Sequence, residues 1–457
     1  METRRLTTIE EINAIFTDGS KPVHFVWRCT IEVNGETIDP HRTLNIDINR
    51  HYTMNFAEEI MVELQVAPSQ YVDKIYPNRQ NITVTLYQIP LNEDGSENWD
   101  EKRYLQIYRG MIKGGKDLKL NPNREQGNSE DLDMGGHVVV EFQLVSRALE
   151  QLRLRLPGGP YRNTTAGRVL KSIFDQERQR IKVDSIEAIT GVDMVPPDNT
   201  VIREHVVVDH GLQLIELPSF LQNRAGGIYN ADIAFFLQGD KIYIWPKYGL
   251  DRKERDKQVL TIFDIPANQF PGVERTYRET LGQVIILTTG NSSNTDVSEA
   301  LDLNQGNGIR FTDAMSVLNG MIEMVDGKPI ARRGASASEF VDEVRQTGLN
   351  FAPIAKERIT SNAMKMASKL APRKGMTMQL TWENANPFLV YPGMPVRIYT
   401  PRDGVLEERK GVLADAQFFI APKAKTAKNS QQACVGHLAV FVSRATVEDQ
   451  LPDIPAQ

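Results

Sequence analysis

Apolar residues near the start of the chain recur at every second position. In Val23-His24-Phe25-Val26-Trp27-Arg28-Cys29-Thr30-Ile31-Glu32-Val33 the odd positions are apolar and the even ones mostly polar. A period of two turns one side of an extended strand into a core. It sends Cys29 inward as a small apolar residue rather than a reactive thiol. Further strands are expected at Leu44 to Ile48, Ile60 to Val66, Ile82 to Tyr87 and Val138 to Val145. Alternating strands with turn-rich connections favour a barrel or sandwich, because closure removes edges that would otherwise pair with other chains. Asn121 to Gly136 is polar and glycine-rich and reads as a long exposed loop.

The period changes after Leu156-Pro157-Gly158-Gly159-Pro160. Thr164 or Thr165 can cap a helix on which Val169, Leu170, Ile173, Phe174 and Ile181 recur at helical spacing. A strand at Val206-Val207-Val208 follows, then a helix beginning near Leu212 and stopping at Gly226-Gly227. Glycine there supplies the left-handed cap of a helix end. Ile233 to Leu237 and Ile242 to Trp245 flank Gln238-Gly239-Asp240 and form a hairpin.

Alternation returns in Gly282 to Thr289, followed by a polar loop from Gly290 to Gly308. Helices are expected around Thr312 to Met324, from Ser336 with Glu339 as a capping box, and from Thr360 to Leu370. Strands resume at Met376 to Trp382, Pro395 to Tyr399, Gly411 to Ile420 and His437 to Val442, with Pro392-Gly393 suited to a type II turn. Asp18-Gly19 and Asp403-Gly404 are turn signals.

The last β region repeats the order of the first. Phe142 to Leu152 contains Val145-Ser146-Arg147-Ala148, and Val440 to Leu451 contains Val442-Ser443-Arg444-Ala445. Ahead of each lies a basic-Gly-apolar step, Arg109-Gly110-Met111 or Lys410-Gly411-Val412, and before that an alternating strand. Self-similarity of this kind exposes architecture. It gives a mainly β fold with an α/β middle (α+β), in which two related antiparallel β-barrels flank a mixed α/β region. The boundaries are 1–156 for the first barrel, 157–275 for the middle, 276–449 for the second barrel with a helical insertion at about 310–370, and 450–457 for a tail.

Composition narrows the function. The 457 residues suffice for about three domains, and 40% hydrophobic with 25% charged residues is ordinary for a globular chain. A net charge of -6 argues against nucleic acid as the main partner. No apolar run reaches the roughly 20 residues of a membrane span, and the start lacks the apolar core of a signal peptide. Synthesis and retention in the cytoplasm are expected. The two cysteines have no neighbouring metal-ligand pair.

The search for chemistry yields no nucleotide-binding loop, zinc-protease helix or nucleophile elbow. On a strand, His205 and His210 face opposite sides and share no metal. Asn304-Gln305-Gly306-Asn307-Gly308 carries no lysine and reads as a turn, and Lys423 to Lys428 as a solvated hairpin tip. No pair of carboxylates stands out as a glycosidase dyad. The expectation is no enzyme, no catalytic residue, no metal and no cofactor.

The order of helix, Gly226-Gly227-Ile228-Tyr229 and short hairpin resembles the segment after the first barrel in the central baseplate hub proteins of contractile-tailed bacteriophages. The related N-terminal half of the type VI secretion spike protein has a comparable Gly-Ile-Tyr step. The resemblance covers most of the chain as barrel, α/β middle and barrel. It implies a structural virion protein of the tail baseplate, assembled in the host cytoplasm, whose homotrimer forms a pseudo-sixfold ring joining the tail tube to the central spike. The implied partners are further copies of itself, the tail tube protein, a separate spike protein, and baseplate wedge or other hub proteins. Nothing like a lysozyme domain or β-helical needle precedes Gln457, so the resemblance implies that the needle is a separate protein. Two other readings stand beside it: a tail-associated cell-wall hydrolase or carbohydrate-binding enzyme, and the hub of a phage-derived injection or secretion device.

Overall fold

In a computed structural model, residues 25–113 (except 93, 95 and 102), 137–250 (except 185 and 186), 258–295 (except 271, 272, 274, 275 and 281), 371–422 (except 403 and 404) and 432–444 are described, with four short strands between 310 and 341 and positions 16 and 368. The predicted loop 121–136, the turn Asp18-Gly19, Asp403-Gly404, Asn304 to Gly308, Lys423 to Lys428 and the tail 450–457 lie outside the described residues.

Seven strands build the first region: Phe25–Val33 (β1), Glu36–Ile38 (β2), Arg42–Arg50 (β3), Glu59–Val66 (β4), Ile82–Pro90 (β5), Arg103–Ile112 (β6) and Val138–Val145 (β7). They run antiparallel in the order β2-β1-β5-β6-β7-β4-β3. The period of two is realised in the burial: Ile60, Val62, Leu64 and Val66 of β4 face the core with Val140 and Phe142 of β7. Cys29 points inward as expected, and the Thr43 side chain hydrogen-bonds it.

Arg147–Arg153 (α1), capped by Ser146, follows β7, and the middle begins with Gly159–Thr164 (β8). Thr165 caps Ala166–Gln179 (α2), its side-chain oxygen accepting from Arg168 N at 3.2 Å. Val169, Leu170, Ile173 and Phe174 are buried along one face, while Ile181 packs beyond the helix end. Gly191–Met194 (β9) and Arg203–Val208 (β10) follow, with β10 pairing β8. The next helix, Leu217–Arg224 (α3), starts five residues later than the apolar pattern suggested, after a 3-10 turn at Leu214–Glu216. Pro218 sits in its first turn, where a missing N–H costs nothing and a fixed φ favours initiation. Gly226 (φ 99°) and Gly227 (φ 78°) end it in the left-handed region. Ile233–Gln238 (β11) and Lys241–Pro246 (β12) form the expected hairpin, and β9 joins β12 in parallel.

The second region comprises Val259–Ile265 (β13), Tyr277–Thr280 (β14), Gln283–Thr295 (β15), the short strands Arg310–Phe311 (β16), Met321–Val325 (β17), Lys328–Arg332 (β18) and Phe340–Val341 (β19), then Gly375–Glu383 (β20), Pro395–Arg402 (β21), Val405–Pro422 (β22) and Gln432–Ser443 (β23). Six strands, β22-β21-β13-β15-β20-β23, close into a barrel through the pairing of β22 with β23. β13 runs parallel to β15 and β21, and the other contacts in the ring are antiparallel. Every residue of β13 is buried, as expected of a strand covered on both faces.

Two expectations are corrected here. β15 continues to Thr295 through the stretch expected to be a loop from Gly290, because pairing with β20 resumes after a bulge at Ser293 opposite Gln379. The helical insertion is also corrected where it is described. Residues 321–325 and 328–332 form an antiparallel pair, and 340–341 pair with 310–311 as extended strands. The predicted helix 360–370 lies outside the described residues apart from position 368.

The first region does not close on itself as the second does among the described residues; its strands run on into the second region as one sheet. β22 bends at a bulge between Leu413 and Asp415; its first half pairs β21, and its second half pairs β3 with Ile420 opposite Ile46 and Phe418 opposite Ile48. The β22–β23 hairpin is thereby wedged between β3 and β1 of the first region. A single apolar core runs through both, from Val62 and Phe142 to Leu380, Val412 and Val440.

Candidate functional site

The joint between the regions is where charge enters the core. Ile46, Ile48 and Arg50 lie in the same inward phase of β3, so a guanidinium follows two isoleucines into the interior. Arg50 is 1% exposed. Its Nε donates to Glu58 Oε2 at 3.0 Å, a second nitrogen donates to the Pro387 carbonyl, and the Phe418 ring lies 5.6 Å away. Burial opposes the Arg50 charge, but Glu58 together with Tyr52 and Tyr108 outweighs this and holds the guanidinium firmly protonated. Tyr108 Oη donates to Glu58 Oε1 at 2.8 Å, and burial lifts that phenol well above its ordinary range.

The neighbouring residues tie in the other elements. His51 Nδ1 lies 2.8 Å from Asp415 Oδ2, at the bulge where β22 changes partners. Tyr52 Oη donates to Gln238 Oε1 at 3.1 Å, and Gln238 Nε2 donates to the Val390 carbonyl at 2.9 Å. The turn after β3 therefore holds the first region, the middle hairpin and the second barrel together. Arg50 was legible as a charge in phase with apolar neighbours; its partners, far away in sequence, were not.

A second clasp closes the other side of the hairpin. The backbone N–H of Trp27 donates to Gln432 Oε1 at 2.6 Å, and Gln432 Nε2 donates back to the Trp27 carbonyl at 3.3 Å. One side-chain amide thus satisfies both backbone groups of Trp27 on an edge that no other described strand pairs there. Phe388 stacks on Trp27 with centroids 5.1 Å apart.

The sequence repeat corresponds to two three-stranded meanders, β5-β6-β7 and β21-β22-β23. Gly110 on the first central strand lies opposite Ile82 and Leu144, and Gly411 on the second lies opposite Val396 and Val442. Relative to the Val-Ser-Arg-Ala steps, the third strand is offset by one residue. Ser146 caps α1, whereas Ser443 ends β23 and its carbonyl accepts from Arg409 at 3.3 Å.

None of these groupings is a catalytic frame. His205 is exposed on β10, and the His210 ring lies against the backbone of Gly158. Among the described residues no group of three or more His, Cys, Asp or Glu could hold a metal ion. Cys29 and Cys434 are buried free thiols, and burial pushes both upward, Cys29 to about 12. No helix among the described residues is long and apolar enough to cross a membrane.

No family model matches the chain, and no curated protein does. Among solved structures it is similar to the tail protein from Neisseria meningitidis MC58, at 11% identity over 91% of this chain and 96% of that one, with a TM-score of 0.47. The 43 kDa tail protein of prophage MuSo2 from Shewanella oneidensis is 10% identical over 91% of this chain and 98% of that one, with a TM-score of 0.46. A component of the E. coli type VI secretion system, whose similarity to the T4 bacteriophage tail proteins gp27 and gp5 has been described, is 10% identical over 91% and 77%, with a TM-score of 0.38.

Proposed function

We propose that this chain is a structural baseplate hub that joins a tail tube to a separate central spike. The observation that carries the reading is the pair of glycine-centred meanders, fused side by side through β3 and β22. A tube of sixfold symmetry meets a spike of threefold symmetry without mismatch when three chains each present two similar β units. In this reading residues 1–156 and 276–449 are the two units, the second completed by β13 (Val259–Ile265), the rest of 157–275 is the middle domain, and 450–457 is a tail. The first unit of one subunit meets the second unit of the next head to tail, as closed rings require. Each subunit buries more than the roughly 800 Å² per partner of a standard interface. Baseplate wedge or other hub proteins complete the partner set, and the site of action is the virion tail baseplate or the equivalent part of an injection device.

The chain performs no catalysis in this reading. Light scattering on the purified chain and symmetry averaging of assembled particles test the proposal. A trimeric ring of six quasi-equivalent β units supports it; a monomer inside the particle sinks it. Incubation with peptidoglycan separates the hydrolase reading: clearing of turbidity that one carboxylate substitution abolishes would establish an enzyme instead.

A further inference from the structure

We infer that the groove between the turn after β3 and the middle hairpin binds an extended, lysine-bearing segment of a partner polypeptide, added as a strand to the open edge of β11. The groove has a volume of about 1050 Å³ and runs from Met54 and Phe56 past Phe220 to Phe235.

The backbone geometry selects a polypeptide. Gln238 and Lys241 flank the two-residue turn of the hairpin, which makes them a hydrogen-bonded pair. Phe236 and Ala234 then bond inward to β12, while Leu237, Phe235 and Ile233 present their backbone groups to the opposite edge. Leu237 N donates to the Phe56 carbonyl at 2.8 Å, in a parallel bridge with Ala57. That pairing stops at once, because residues 51–55 coil into a turn closed by Asn55 N donating to the His51 carbonyl at 2.8 Å. Beyond it the Ile233 N–H is taken by Asp232 Oδ1 at 2.9 Å, and Phe235, which lines the groove, turns both backbone groups to an edge that no other described strand pairs. An edge begun by the chain's own strand and then abandoned is completed by another strand.

The walls set the side chains. Phe56 and Phe235, with centroids 5.2 Å apart, and the 86% exposed Met54 offer an apolar floor for alternate residues of such a strand. Five acidic residues, Glu58, Glu59, Asp209, Glu216 and Asp232, line the groove against three basic ones, Arg153, Arg224 and Lys247, of which Arg224 lies over the Phe220 ring and Lys247 over Tyr248. The excess of acidic groups favours lysine over glutamate in the bound segment.

The test uses the full-length chain and two acetylated, amidated heptapeptides, one alternating lysine with valine and the other alternating glutamate with valine. Amide hydrogen exchange is followed at millimolar peptide, with peptide anisotropy measured in parallel. The lysine peptide should slow exchange at Phe235 and leave the already protected Phe236 unchanged, and it should bind at least about fivefold more tightly than the glutamate peptide. Met54→Lys changes an exposed residue and should weaken the lysine peptide by a similar factor with the fold intact. Unchanged exchange at Phe235 under saturating peptide, or equal binding of both peptides, overturns the inference. Neither result bears on whether the chain forms a trimeric ring.

Discussion

Arg50 and Glu58 form a buried ion pair where the first β region meets the second barrel, with side chains 1% and 8% exposed and Nε 3.0 Å from Oε2. Neither charge can be removed alone without stranding the other in the core. Glu58→Leu or Arg50→Met alone should therefore destabilise the protein by about 3–5 kcal/mol. The double variant Arg50→Met with Glu58→Leu should recover most of that loss, because it abandons no charge. Urea unfolding midpoints of the four proteins, combined as a double-mutant cycle, measure the coupling.

Gln432 satisfies both backbone groups of Trp27 across the seam. Gln432→Ala should cost about 1–3 kcal/mol, since it leaves a buried donor and acceptor unmet. Gln432→Glu keeps the acceptor and loses the donor, and should fall between the two. Exchange of the Trp27 amide should accelerate in the alanine variant before any global change in unfolding midpoint.

Gly110 and Gly411 hold equivalent central positions but differ in what surrounds them. A Cβ on Gly110 would meet Val84 Cγ2 at 2.7 Å, and one on Gly411 would overlap the Phe441 carbonyl oxygen. A methyl group can shift its rotamer, whereas a carbonyl held in a ladder cannot. Gly110→Ala should cost about 1–3 kcal/mol and Gly411→Ala more than that. Thermal unfolding of the two variants side by side gives the order.

Asp415 is held above its ordinary value of 3.8 by burial, an effect that the hydrogen bond and charge of His51 only partly offset. The folded chain thus binds this proton more tightly than the unfolded chain. Its stabilising contribution is complete below pH 3.8 and is lost as pH rises through the raised folded value. Asp415→Asn, which can still bond His51, should gain stability relative to the parent protein as pH increases above that window. The difference should close towards acid, as read from unfolding midpoints across pH.

Burial pushes the Cys29 thiol up to about 12 and raises that of Cys434 as well. Neither forms a thiolate at pH 8, so iodoacetamide should label neither in the folded protein and both in urea. Mass spectrometry of the alkylated chain before and after unfolding checks this.

The alternation from Phe25 to Val33, the Thr165 cap and the Gly226-Gly227 stop were readable because each depends on neighbours within a few residues: a strand face, a first helical turn, a positive φ. The repeat around Gly110 and Gly411 was readable because both segments kept the same order of residues. The late start of α3 and the extension of β15 to Thr295 were less accessible, since a proline's place in a turn and the reach of a partner strand decided them. Only the tertiary structure brought Arg50 to Glu58 and Pro387, His51 to Asp415, and Gln432 to Trp27. Local propensity and periodicity carry no information about which distant segments meet. It was likewise the folded chain that spliced β22 into the first sheet and left Phe235 at an open edge, because strand pairing partners are chosen by the closure of the whole sheet.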